Sequence, residues 1–186
     1  DGYTDKDKTE KAIFRDVFKK GDAWFNTGDM MRDIGFRHAQ FVDRLGDTFR
    51  WKGENVSTTE VEQILDGFEQ IVESVVYGVE IPGTNGRAGM AELRLDRPHE
   101  EVDWPALSSY LKRELPPYAI PVFLRVTDHG VETTGTFKHQ KNTLKEEKYD
   151  LNRHNNPVDV LLPGESGYQR LTPEIQAGIE AGRYRF

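Results

Sequence analysis

Val61, Ile64, Leu65 and Phe68 recur at i, i+3, i+4 and i+7, and the helix they predict runs almost directly into the β-branched stretch IVESVVYGVEI. The turn sequence PGTNG and a second strand pattern, AGMAELRL, come next. A helix feeding a strand that turns back on itself must lay its apolar stripe on the resulting hairpin, because neither element can bury that surface alone. Ser57-Thr58-Thr59-Glu60 marks the helix start as a capping box, in which a hydroxyl and a carboxylate satisfy the first free amides.

The later segments extend this unit. Asp103 caps a helix carrying Trp104, Leu107 and Leu111, which Pro116-Pro117 ends, and PVFLRV reads as a third strand. TTGTFKHQKNTLKEEKYD reads as a glycine turn followed by a basic helix with only a thin apolar stripe. From Leu151 the chain is turn-rich, with a short helix at Thr172-Pro173. Upstream, residues 9–20 carry a helical signal, with Thr9 as N-cap, Ile13, Phe14, Val17 and Phe18 on one face and Gly21 as stop. AWFNTGDMMRDIGFRHAQFV then gives short strands with turns at residues 27–29 and 34–35, and TFRWK gives a strand with Phe49 and Trp51 on one face. Strands and helices mix without strict βαβ alternation, so the expected class is α+β: a small mixed sheet of three strands packed with helices, preceded by a β-hairpin. The expected divisions are 1–43, 44–150 and a tail, 151–186.

Composition narrows the function. A net charge of −7 argues against general nucleic-acid binding, and the absence of cysteine removes thiol catalysis and thiolate metal sites. The five histidines lack metal-ligand spacing, and no apolar run approaches the ~18 residues that span a bilayer. The opening DGYTDKDKTEKA reads as a chain entered in mid-course, so a piece of a longer protein is expected.

The density of charge in DRLGDTFRWKGENV, around Gly46 and Gly53, is too costly for a core. It belongs either to a solvated loop or to a site for a charged ligand. Asp29 in FNTGD suits a tight turn, and its carboxylate also suits a ribose diol. Arg44 can form a surface ion pair with Asp43, or offer a planar donor fork to phosphate or ribose oxygens. Gly53 after Trp51-Lys52 can simply break a strand, or let a narrow ligand pass close to the backbone. Lys138 sits in a basic run that can be a solvated face, or can deliver a point charge to a reacting phosphate.

The order FNTGD, DRLGDTFRWKGENV, TTEVE, LPPYAIPVFLR, TGTFK, together with the tail YQRLTPEIQAGIEAGRYRF, resembles the C-terminal part of the adenylate-forming superfamily, in its fatty acid transport protein and very-long-chain acyl-CoA synthetase branch. The resemblance implies that residues 1–43 end a large N-terminal AMP-binding domain and that 44–150 form its C-terminal lid. It implies Asp29 on the ATP ribose hydroxyls, Arg44 on ribose or phosphate, Gly46 as hinge, Gly53 with Trp51 along the CoA tunnel, and Lys138 as the catalytic lysine, here preceded by Phe137 where a glycine is usual. Implied reactants are a long-chain or very-long-chain fatty acid, ATP with Mg2+, and CoA. The implied setting is cytoplasmic, with peripheral attachment to the inner membrane face as a variant. The competing expectation is a non-enzymatic module whose basic helix docks an acidic partner or an anionic membrane.

Overall fold

The computed structural model describes residues 12–44, 48–127 and 137–186. The chain divides after Gly46 into two compact units.

In the first unit, β1 (Ile13–Arg15) pairs antiparallel with β2 (Ala23–Phe25). This corrects the helix expected over residues 9–20, of which 9–11 lie outside the described residues. The reason is local competition for backbone donors. The Asp22 carboxylate accepts from the amides of Val17, Phe18 and Lys19 at 2.8–3.0 Å, and from Trp24 Nε1 at 2.8 Å. That turn takes the donors a helix would need. Of the residues spaced like a helical face, Phe14, Val17 and Phe18 stay exposed, Phe18 at 74%. Next, β3 (Asp29–Gly35) pairs antiparallel with β4 (His38–Arg44). Their turn falls at Phe36-Arg37, two residues beyond the expected Ile34-Gly35, with φ of 52° and 63°.

The second unit opens with the hairpin β5 (Phe49–Trp51) and β6 (Glu54–Val56), then α1 (Thr58–Asp66), capped by Ser57 Oγ accepting from the Glu60 amide. Among the described residues its sheet has five strands. β7 (Ile71–Val79) and β8 (Ala88–Leu95) form the expected antiparallel pair. α2 (Trp104–Glu114), capped by Asp103, carries the chain across to β9 (Phe123–Thr127), parallel to β8. α3 (Phe137–Glu147) follows.

Two further strands correct the three-strand expectation. β10 (Val158–Val160) pairs with β9, β11 (Gln169–Arg170) pairs with β10, and α4 (Pro173–Glu180) closes the unit. Strands of three and two residues are too short to show a period of two. The core is continuous through Leu65, Val76, Leu93, Leu107, Phe123 and Val158, with Phe123 stacked on Tyr149 at 4.2 Å. β5 crosses the sheet where β7 and β8 carry glycine: a Cβ on Gly78 would lie 2.6 Å from Phe49 Cβ, and one on Gly89 3.1 Å from its ring. The two glycines therefore set how closely the β5–β6 hairpin sits on the sheet.

Candidate functional site

Asp29 and Arg44, fifteen positions apart in sequence, are register partners across β3 and β4. The FNTGD turn sets this up: Asn26 Oδ1 accepts from the Gly28 amide at 2.9 Å, and Thr27 Oγ1 from the Asp29 amide at 3.2 Å, with Gly28 at φ 76°. The ladder steps irregularly between Met30 and Met31, so the Asp29–Arg44 and Met30–Asp43 pairs stand on the far side of a bulge from the turn end of the hairpin. Gly46 lies outside the described residues, as does the side chain of Arg44.

Trp51 and Gly53 share the β5–β6 hairpin in the second unit. Trp51 is buried and anchors the strand, while Lys52 and Gly53 make a two-residue turn with φ of 51° and 87°, both in the left-handed region. A Cβ on Gly53 would meet nothing within 4 Å, so its requirement is conformational and its outer face is open. Arg50 Nε closes the turn on the Gly53 carbonyl at 3.1 Å, and Lys52 Nζ sits 5.9 Å from the Trp51 ring centre. Beside this turn lies a cleft of about 420 Å3, lined by Trp51, Lys52, Gly83, Asn85, Tyr184 and Arg185, among others. The expectations placed no site residue in 83–85 or 184–186; the glycine turn PGTNG and the aromatic–basic ending RYRF were the available signals.

Lys138 is the second residue of α3; its own side chain and the glycine turn before the helix lie outside the described residues. Along its described side chains the helix is held largely by charge. Lys141 Nζ lies 3.2 Å from Glu62 Oε1, and Glu147 pairs with Arg125, which also reaches Glu92 at 3.2 Å. Burial pushes the Glu92 carboxyl up, against the pull of Arg125, and burial with the Arg125 charge pushes the His154 imidazole down. Among the described residues no cluster of three or more His, Asp or Glu is arranged to hold a metal ion, and no helix is long and apolar enough to cross a membrane.

The structure thus brings Asp29 to Arg44 in one unit and Trp51 to Gly53 in the other, where α3 carries Lys138.

Residues 60–138 match the AMP-binding enzyme C-terminal domain. The chain is 47% identical over 98% of its length to the medium/long-chain-fatty-acid–CoA ligase FadD6 of Mycobacterium tuberculosis, of which it covers 30%. It is 44% identical over 93% of its length to long-chain fatty acid transport protein 3 of Homo sapiens, covering 25% of that protein. The chain therefore spans less than a third of these relatives. Among solved structures it resembles an ATP-bound RpMatB–BxBclM chimera, with TM-score 0.64, 28% identity and coverage of 81% of this chain and 29% of that one. It also resembles O-succinylbenzoate coenzyme A synthetase of Bacillus subtilis in complex with ATP and magnesium ion, with TM-score 0.56, 28% identity and coverage of 68% and 24%.

Proposed function

We propose, from the match of residues 60–138 to the AMP-binding enzyme C-terminal domain, that this chain is the C-terminal part of an ATP-dependent fatty acid–CoA ligase. In the first half-reaction, a fatty carboxylate oxygen bonds to the α-phosphorus of ATP as the bond to pyrophosphate breaks, giving an acyl-adenylate. In the second, the CoA sulfur bonds to the acyl carbon and AMP leaves. Asp29 accepts hydrogen bonds from the ribose hydroxyls, and Arg44 donates to ribose or phosphate oxygens. Lys138 places its cation where negative charge gathers between carboxylate and phosphate, which lowers the barrier because the charge is fixed before the reaction begins. Gly53 and Trp51 border the path of the thiol, and Gly46 is the hinge about which the second unit turns between the two steps.

The observation that carries this reading is the register of Asp29 against Arg44: two residues assigned to one nucleotide are held opposite each other by the backbone itself. The docking-module reading loses ground on α3, where Lys141 pairs with Glu62, and just beyond it, where Lys148 pairs with Glu80 at 3.6 Å.

Fatty-acid-dependent exchange of pyrophosphate into ATP, followed by acyl-CoA formation, is the test. The full-length protein is expected to perform both, and this chain alone neither. A full-length protein inactive with medium, long and very long fatty acids contradicts the proposal.

A further inference from the structure

Along its described side chains, residues 141–147, α3 has little apolar surface with which to fix itself. Of the described side chains along it only Leu144 is buried, so the placement of the helix depends on its charges. Among the described residues, the pair nearest Lys138 along the helix is Lys141 with Glu62, one helical turn downstream, about 4.5 Å of axial rise from Lys138. Both members are largely enclosed, with side chains 13% and 21% exposed, and that protects the pair from solvent screening. Glu62 is itself fixed. Its Oε1 accepts from the Val76 amide at 2.8 Å, and among the described residues β7 is the edge strand of its sheet. One carboxylate oxygen therefore ties α1, the sheet edge and the first half of α3 together.

We infer that Glu62 is a positioning residue for the adenylation step, setting the location of Lys138 through Lys141. The inference rests on the role proposed for Lys138. A cation that acts by electrostatics on a developing charge is sensitive to displacement. Freeing the start of α3 costs turnover in the step that uses Lys138 and leaves the thiol step, which uses the β5–β6 hairpin, untouched.

Glu62→Gln keeps an oxygen for the Val76 amide and removes the charge; Lys141→Met keeps length and removes the charge. In the full-length protein each is expected to lower fatty-acid-dependent pyrophosphate exchange at saturating ATP by roughly ten- to hundredfold. The KM for ATP, thioester formation from supplied acyl-adenylate and the melting midpoint should stay near the parent values. The double variant should be no worse than either single one, because both remove the same contact. Normal exchange in Glu62→Gln, additive losses in the double variant, or a parallel fall of both half-reactions with the melting midpoint would overturn the inference. Lys138→Ala is run alongside. Exchange lost there but kept in Glu62→Gln overturns the clamp alone, whereas exchange kept in Lys138→Ala overturns the role of the lysine and the clamp with it.

Discussion

Gly53 shows how a conformational demand and a ligand demand can be separated at one residue. Its φ of 87° strains any side chain, at a cost of about 1–3 kcal/mol. The fold places nothing within 4 Å of a Cβ there, so bulk is not resisted from within. Gly53→Ala carries the strain with little bulk, and Gly53→Leu carries both. The two variants are expected to melt alike in the full-length protein, with adenylation kept in both and acyl-CoA formation lost far more in Leu than in Ala. Equal activities in the two would mean that no thiol path borders this glycine. His154 gives a second residue-scale expectation. Its ring nitrogens are shut off from solvent, and burial with the Arg125 charge holds its folded-state value down. The unfolded chain then takes up the proton first, so the contribution is complete above the ordinary imidazole value of about 6.5 and is lost as pH falls below it. Glu92, pushed up by burial, runs the other way: its contribution is present at low pH and lost as pH rises through its folded-state value. Comparing His154→Gln with the parent isolates the imidazole; urea unfolding from about pH 7.5 to 5 should show a flatter acid limb in the variant. An unchanged limb contradicts the assignment.

At the scale of elements, what was legible in the sequence is what carries its own period or cap. α1 follows from Val61, Leu65 and the Ser57 cap, α2 from Asp103, and β7 with β8 from a β-branched run and a glycine turn. The misreadings have physical causes. Residues 13–18 are spaced like a helix, yet Asp22 captures the amides of Val17, Phe18 and Lys19 from across a turn. β10 and β11 exist because β9 and then β10 offer them an edge, a tertiary fact that two or three residues cannot announce. Of the candidate site, residue types and order were legible, while the pairing of Asp29 with Arg44 depends on the hairpin register. The cleft beside Trp51 depends on residues 83–85 and 184–186 meeting in space. The late strands also make a prediction. Stopping the chain after Asp150 removes Val158, Val160, Leu162, Leu171 and Ile179 from the core. Each such side chain stabilises by roughly 1.5–3 kcal/mol, against a domain total of about 5–15 kcal/mol. The shortened chain is expected to lose its cooperative thermal transition in circular dichroism; a sharp melt within a few degrees of the parent would show that residues 151–186 are an accessory tail.

Across the whole molecule, the residues assigned to nucleotide and thiol are divided between two units. Asp29 and Arg44 lie in the first, Trp51, Gly53 and Lys138 in the second. The proposed two-step reaction calls for such a division, because in it one cation is needed only while phosphate charge develops and one passage only when the thiol arrives. The proposed function therefore stands or falls on whether Lys138 belongs to one step alone. The direct measurement is the rate of each half-reaction in full-length Lys138→Ala: pyrophosphate exchange for the first, and CoA-dependent turnover of supplied acyl-adenylate for the second. Exchange is expected to fall by roughly a hundredfold or more while the thiol step stays near its parent rate; equal loss in both, or no loss in exchange, would contradict it.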